Sequence, residues 1–133
     1  KDPIKKMFSD PGGNHAFVVL ASGTVYYLHS KANKAKKVTT MSNISVGSSS
    51  SAVKHTVECI SFDQLQTSES STRSFLVGSD NGAVFEIGSI DGNADTGSKR
   101  MSVTGGMTGS SSLSPSCVLL LQLPDINSAI THM

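Results

Sequence analysis

The stretch FSDPGGNHAFVVLASGTVYYLHS, residues 8–30, contains two strand-like runs separated by turn signals. The turn-forming tetrapeptide DPGG at residues 10–13 precedes the run His15–Leu20, which is rich in β-branched and aromatic residues and is typical of a buried strand. The tripeptide ASG at residues 21–23 interrupts this run before a second one, residues 24–29. Because Gly23 can supply the positive φ that a short hairpin turn requires, the stretch predicts a β-hairpin.

The same pattern returns in FLVGSDNGAVFEIGSI, residues 75–90, where Asn81-Gly82 is a strong hairpin signal. Aligned on their turn glycines, the two hairpins match at three apolar positions: Val25 with Val84, Tyr26 with Phe85, and Leu28 with Ile87. Further strand-like segments lie at about residues 4–8, 36–41, 56–62 and 117–123. Two units of four strands are typical of β-propeller blades.

We therefore predict an all-β fold, namely a partial β-propeller of about two four-stranded antiparallel blades with long disordered loops. The whole chain, residues 1–133, is interpreted as a fragment of a propeller, with blade one at about 4–41 and blade two at about 56–123. Low-complexity insertions occupy residues 42–53, 66–74 and 91–116. The last insertion has too few apolar residues to offset its ordering entropy, so we expect it to be mobile.

Composition excludes several classes of protein. Hydrophobic residues make up 37% of the 133 residues, there is no Trp, and the net charge is +1. This charge gives no global field for nucleic acid, and no apolar run approaches the length that spans a bilayer. For Cys59 and Cys117, buried free thiols are favoured over a disulfide, because nothing else indicates secretion.

The sequence contains no catalytic signature. It has neither a phosphate-binding Gly-x-x-x-x-Gly-Lys-Ser/Thr loop nor a Gly-x-Ser-x-Gly nucleophile elbow. The four histidines lack the spacing of metal ligands and are predicted to be satisfied surface or loop residues; they are His15, His29, His55 and His132. We therefore predict that the chain is not an enzyme and that it has no catalytic, metal or cofactor-binding residues and no cofactor.

A lysine cluster, HSKANKAKK at residues 29–37, has two interpretations. It could form a patch for acidic headgroups or an acidic partner. It could instead be a solvated loop whose lysines keep a sheet edge from pairing with other chains. We favour the second interpretation for the cluster, which comprises Lys31, Lys34, Lys36 and Lys37.

The first hairpin resembles the opening of the vacuolar protein sorting-associated protein 18 (deep orange) family. The family signature runs Ile-x-Lys-aliphatic-Phe-x-Asp-Pro-x-Gly-x-His, and after a hydrophobic strand Gly-x-aromatic-Tyr-Leu. The matching residues are Ile4, Lys6, Met7, Phe8, Asp10, Pro11, Gly13, His15, Gly23, Tyr26, Tyr27 and Leu28. VECISFD at residues 57–63 is similar to the family's Ile-Glu-Ser-Val-Ala-Trp segment, with Phe62 in place of Trp. The second hairpin is similar to a family strand pair at Gly78, Gly82, Phe85 and Glu86.

This resemblance implies a β-propeller at the N-terminal end of a longer protein that continues into an α-solenoid and a RING domain. Family members are subunits of the HOPS and CORVET tethering complexes, which hold endosomal and vacuolar or lysosomal membranes together before fusion. The implied partners are other class C vacuolar protein sorting subunits, with no nucleic acid. The implied location is cytoplasmic, peripheral on those membranes through the complex. The motif residues are then structural, and the chain acts as a protein-interaction scaffold in vesicle-mediated transport.

Two alternatives remain at this point: an unrelated propeller adaptor, or a fragment of a propeller enzyme. No Trp-Asp dipeptide closes either unit, which argues against a WD array. A propeller enzyme would collect polar residues from several blades, which two blades cannot show. Two blades also leave open sheet edges, so we expect the isolated fragment to self-associate or to be only marginally stable.

Overall fold

A computed structural model describes residues 1–46, 52–92 and 112–123 of the chain. These residues form strands and one short helical turn, α1. In chain order the elements are β1 (Ile4–Ser9), β2 (His15–Leu20), β3 (Val25–His29), β4 (Lys36–Val38), α1 (Thr39–Ser42), β5 (Ser45–Val46), β6 (Val53–Lys54), β7 (Val57–Phe62), β8 (Phe75–Ser79), β9 (Ala83–Ile87), β10 (Ser112–Leu113) and β11 (Cys117–Gln122). The all-β prediction is confirmed.

Two sheets carry the architecture. The first sheet has the strand order β1-β2-β3-β4-β10, and the second has the order β11-β9-β8-β7. Neighbouring strands are antiparallel except β10, which lies parallel to β4. The separate pair β5 and β6 is also antiparallel. Each main sheet is therefore a four-stranded meander, and the first carries a two-residue strand in addition.

The turn before β2 is held by the carboxylate of Asp10. Its two oxygens accept hydrogen bonds from the backbone N–H groups of Gly12, at 3.0 Å, and His15, at 2.7 Å. Gly13 has a φ of 69°, a conformation that costs glycine little and other residues more. The DPGG turn signal therefore acts through an aspartate that satisfies the backbone of its own loop.

In both sheets, the turn between the second and third strands is held by an equivalent backbone hydrogen bond to the residue before the first strand. In the first sheet the N–H of Ala21 donates to the carbonyl of Pro3, at 2.9 Å, just before β1. In the second sheet the N–H of Asp80 donates to the carbonyl of Thr56, at 3.0 Å, just before β7. The turn glycines, Gly23 and Gly82, have φ values of 86° and 70°. The two hairpins that repeat in sequence therefore also share the same backbone hydrogen bond at their turns.

The two sheets pack face to face around a shared apolar core. Phe17 lies at its centre, with ring centroids 5.1 Å from Phe75, 5.4 Å from Tyr27 and 6.0 Å from Phe62. The first sheet contributes alternate residues of β2 and β3, and the second contributes alternate residues of β8 and β9. We call these packed sides the inner faces and the opposite sides the outer faces.

Equivalent residues of the repeat lie on opposite sides relative to this core. Val25 is on the inner face of the first sheet, whereas its match Val84 is on the outer face of the second. Conversely, Phe85 is buried on the inner face, whereas its match Tyr26 is on an outer face. The sheets therefore follow one another in the same sense, as successive propeller blades do, and are not related by a two-fold axis. The partial β-propeller is confirmed.

The structure modifies two details of the first unit. The segment predicted as a strand at residues 36–41 is a strand only to Val38 and continues as α1. Ser42 fixes this change of direction, because its hydroxyl donates to the carbonyl of Val38 at 2.7 Å and accepts the N–H of Val25 at 2.9 Å. The unit also gains β10, so its sheet has five strands where four were predicted. The blade limits at 4–41 and 56–123 stay a prediction.

The predicted insertions are only partly described. Residues 47–51 of the first insertion and residues 93–111, which make up most of the last one, lie outside the described residues. The middle insertion, residues 66–74, packs against the fold, since Ser71 is 7% and Thr72 is 0% exposed. Among the described residues, no helix is long and apolar enough to cross a membrane.

Candidate interaction surface

A group of polar residues joins the first sheet to the loop between β7 and β8. His15 is buried in the first sheet. Its Nε2 lies 2.6 Å from the carbonyl oxygen of Ser68, and its Nδ1 lies 2.7 Å from the hydroxyl oxygen of Tyr27. The ring of His29 lies 2.8 Å through Nε2 from the carbonyl of Glu69. We call this group, His15, Tyr27 and His29 with those two carbonyls, the histidine joint.

The partners in the joint fix the tautomers of both rings. Because a carbonyl oxygen only accepts, Nε2 carries a proton in His15 and in His29. Nδ1 of His29 accepts the N–H of Lys31 at 3.3 Å. The prediction of satisfied surface or loop histidines is wrong in position for His15 and His29, which are buried in β2 and β3, although both have hydrogen-bond partners. It is correct for His55, which lies in the loop between β6 and β7 and is bonded to Ser79, although that residue is also buried; His132 lies outside the described residues.

A second connection between the sheets is ionic. Glu58 of β7 is buried, and its carboxylate accepts hydrogen bonds from the ammonium groups of Lys5 and Lys6 of β1. Lys6 also donates to the backbone carbonyl of Glu58 at 3.0 Å. Burial alone would raise the pKa of the Glu58 carboxyl, but the hydrogen bonds and charges of the two lysines outweigh it, and the pKa is lowered. The ionised form is therefore favoured in the folded state.

The lowered pKa of Glu58 predicts a pH dependence of stability. A carboxyl whose folded pKa is depressed stabilises the fold above its ordinary pKa of 4.5, and this contribution is lost as the pH falls through the folded value. In urea titrations followed by circular dichroism, we expect Glu58→Gln to cost about 1 kcal/mol at neutral pH and to flatten the loss of stability below pH 4.5. As the comparison, Glu69→Gln removes a fully exposed ion pair with Lys31, which also lowers the pKa of the Glu69 carboxyl; because solvent screens this pair, its effect on the profile should be much smaller than that of Glu58→Gln. An unaltered pH profile in Glu58→Gln would contradict the ionic connection.

The lysine cluster is divided by the fold. Lys36 is 4% exposed, within the core, so it does not belong to a solvated loop. Lys31 pairs with Glu69 at the rim of the histidine joint, and Lys37 is exposed beside Tyr26. The interpretation as a solvated edge loop is thus wrong for Lys36, and no continuous patch of four lysines exists.

Cys59 and Cys117 are not joined in a disulfide, as predicted. Cys59 is buried, whereas Cys117 is only half-buried and lies in β11, an edge strand of the second sheet. Burial raises the pKa of each thiol, which disfavours the reactive thiolate. Among the residues that the structure describes, no group of three or more His, Cys, Asp or Glu side chains could hold a metal ion.

An open groove of about 700 Å³ lies at one end of the second sheet. Its lining carries both signs of charge, with Asp63 and Glu86 beside Arg73. Arg73 has a φ of 54°, which L side chains rarely adopt. Small-molecule sites are usually enclosed and mainly apolar, so this mixed, open groove is better suited to contact with another protein segment.

Comparison with known protein families shows the family of the chain. Residues 1–104 match the profile of the Pep3/Vps18/deep orange beta-propeller domain, which is most of the chain and includes both hairpins. The chain belongs to this family. The match confirms the resemblance to the deep orange family and shows a vacuolar protein sorting propeller domain, so the alternative of an unrelated propeller is wrong. No curated protein and no solved structure matches the chain.

The family-motif residues of this deep orange propeller fall into the core, the turns and the half-exposed faces. Those that are buried are Asp10, His15, Gly23, Tyr27, Gly78, Gly82 and Phe85. Half-buried positions are Phe8, Tyr26 and Glu86, whereas Pro11 and Gly13 are exposed in the first turn. The structure brings three of them together, because Asp10 holds the loop that leads into His15, which contacts Tyr27. The others do not form one site, and we propose that their role is structural.

The adjacent tyrosines of β3 provide a matched test of the histidine joint in this family member. The Tyr27 hydroxyl is bonded to His15, and its pKa is raised by burial and then by the charges of Asp91 and Asp10. We expect Tyr27→Phe to lower the free energy of unfolding by roughly 1–2 kcal/mol, because it leaves a buried ring nitrogen unpaired. Tyr26→Phe, on the half-exposed side of the same strand, should change it by less than about 0.5 kcal/mol. Equal effects in urea titrations would contradict the joint.

Proposed function

We propose that this propeller is a non-catalytic protein-interaction scaffold of a HOPS- or CORVET-type tethering subunit. It acts in the docking and fusion of vesicles that travel from endosomes to the vacuole or lysosome. The observation that carries the proposal is the family match over residues 1–104, since the matched domain is that of a vacuolar protein sorting family.

The contacts of the two sheets support a scaffold role. The core is shared between the sheets, and the joint and the Glu58 connection tie them at separate places. Such cross-links hold the outer faces in a fixed relative position. A surface that is fixed in this way can be recognised by another protein with little loss of conformational entropy.

The proposed partners are other class C vacuolar protein sorting subunits, and membrane association is peripheral, through the assembled complex. The proposed location is therefore cytoplasmic, on endosomal and vacuolar or lysosomal membranes. No cofactor is part of the proposal, because binding between subunits needs surface complementarity and no chemistry on a substrate.

Affinity purification of the full-length endogenous product tests this function. We expect other class C subunits and a syntaxin-binding protein of the Sec-one type to co-purify in near-equal amounts. A matched sample carrying Leu65→Ala, at a side chain that is 97% exposed on a loop, should recover the same proteins. Purification of the product alone, or with an unrelated receptor, would refute the tethering role and leave the family assignment standing.

A further inference from the structure

The edge strand β11 lies at the circumference of the propeller. Lys5 and Lys6 of β1 contact Glu58 of β7, so the first strands of the two sheets come together. Because propeller blades converge on a central channel, β1 and β7 are the innermost strands, and β11, at the other edge of its sheet, is outermost. Among the described residues, no strand pairs with the free side of β11.

The register of β11 separates the side chains that a neighbouring blade covers from those that it does not. Val118 and Leu121 lie on the outer face of the second sheet, where the next blade of a complete propeller packs. Leu119 is opposite Phe85 and therefore lies on the inner face, yet its side chain is 39% exposed. A further blade would leave Leu119 uncovered.

Leu119 borders an apolar cleft between the two sheets. The cleft has a volume of about 410 Å³. One wall is formed by Phe85, Cys117 and Leu119 of the second sheet, and the other includes Ile44 and Val46, which follow the first sheet. Among the described residues that line the cleft, none is charged. Both walls belong to the two described blades, so the cleft is separate from the outer faces on which further blades pack.

The backbone of β11 offers hydrogen-bonding groups beside this cleft. The carbonyl of Ser116 accepts the N–H of Gly88 at 2.8 Å, so these opposite residues form a hydrogen-bonded pair. Because bonded and non-bonded pairs alternate along an antiparallel ladder, Cys117 and Leu119 direct their N–H and C=O groups away from β9. The register shift between Leu119 and Leu121 ends this regular edge. The edge therefore accepts a short strand.

The first sheet shows how such an edge is closed. Its strand β4 is paired with the two-residue strand β10, in which Leu113 lies opposite Val38. Leu113 is partly buried and packs against the core. An extended backbone with one leucine side chain thus covers the outer edge of a blade in this protein.

The strand β11 also lacks the charges that usually keep an exposed edge from pairing. The strand β4 carries the exposed Lys37, whereas β11, with the sequence CVLLLQ, has no charged residue. Exposed apolar surface of this kind marks sites of protein interaction.

We propose that β11 binds a short, extended segment of a partner protein, which adds to the second sheet as an outer strand and places one aliphatic side chain in the cleft. The outward backbone groups of Cys117 and Leu119 select an extended chain, and the uncharged cleft selects an aliphatic side chain over a charged one. The described segment that acts in this way, β10, is already paired with β4, so we assign the added strand to a partner. This inference does not depend on the tethering role.

Fluorescence anisotropy with the purified full-length product tests the proposal. The probe is a fluorescein-labelled peptide of the sequence Lys-Thr-Leu-Thr-Val-Thr-Lys, and two further forms of it are N-methylated on alternate amides. An added strand uses every second amide to pair with the edge. We therefore expect one methylated form to bind as the parent peptide does, and the other to bind about tenfold more weakly.

Variants of Leu119 locate the binding site. Leu119→Pro removes an N–H that faces the free side of β11 without removing a bond to β9, so the sheet should be kept while the parent peptide binds about tenfold more weakly. Leu119→Glu keeps the backbone and places a charge at the cleft, and it should weaken binding to a similar extent. Leu65→Thr, on an exposed loop, should bind the peptide as the unaltered protein does.

The outcomes separate the possible occupants of the edge. If the parent peptide does not bind, or if both methylated forms bind equally well, β11 does not accept a strand and the proposal is wrong. If the product self-associates through this edge, so that Leu119→Pro makes it a monomer and the peptide competes with association, a second copy is the occupant and the proposal is also wrong. Should Leu119→Pro lose its strand circular dichroism, Leu119→Glu decides, and unchanged binding in that variant would contradict the site.

Discussion

Phe17→Ala is expected to lower the free energy of unfolding by roughly 3–5 kcal/mol, the usual cost of truncating a buried aromatic side chain. Phe17 is fully buried and contacts aromatic rings of both sheets, so its removal leaves a cavity in the interface and not in one sheet alone. Single domains are stable by only about 5–15 kcal/mol. Much of the strand signal in circular dichroism should therefore be lost at moderate urea concentration.

The control for this variant is Leu65→Ala, which truncates an apolar side chain that is 97% exposed. It should shift the free energy of unfolding by less than about 0.5 kcal/mol. Phe17→Leu, which leaves a smaller cavity, should fall between the two. If Phe17→Ala unfolds at the same urea concentration as Leu65→Ala, the sheets do not share a core around Phe17.

His15→Phe is expected to lower the free energy of unfolding by roughly 2–4 kcal/mol, although the ring volume is nearly kept. The substitution leaves the Tyr27 hydroxyl and the Ser68 carbonyl without their buried partner. The cost is that of unpaired polar groups, and it should appear in urea titrations at neutral pH. Loss of the contact to Ser68 should also make the loop between β7 and β8 more susceptible to limited proteolysis.

A double variant separates hydrogen bonding from packing at this position. His15→Phe with Tyr27→Phe removes both partners of one hydrogen bond, so it should cost less than the sum of the single variants. Additive costs would mean that the ring and the hydroxyl act independently. A cost for His15→Phe below about 0.5 kcal/mol would contradict a role of the joint in stability.

Much of the fold could be predicted from local patterns. Residues 10–13 and Asn81-Gly82 predicted the positions of two turns, because turn chemistry is local to a few side chains. The match of Val25 with Val84 predicted that the hairpins are repeats. The residue at which β4 ends was harder to predict from the sequence, because it depends on the hydrogen bond between Ser42 and Val25, which are distant in sequence.

The candidate surface was less predictable. Residues 66–74 were interpreted as a low-complexity insertion, yet the carbonyls of Ser68 and Glu69 accept hydrogen bonds from His15 and His29. Backbone carbonyls occur at every residue, so no side-chain signal marks the ones that the fold uses. The run at β11 was predicted as a strand from its apolar character, but its exposure followed only from its place at the edge of the second sheet.

The order of residue types along the chain was sufficient to predict the strand content, the hairpin repeat and the family of this protein. The tertiary structure alone decided which side of each strand is inner. Val25 and Val84 occupy equivalent positions of the repeat, two residues after a turn glycine, yet one is in the core and the other is on an outer face. The reason is that burial depends on which sheet covers a strand, and that sheet is formed by residues distant in the chain.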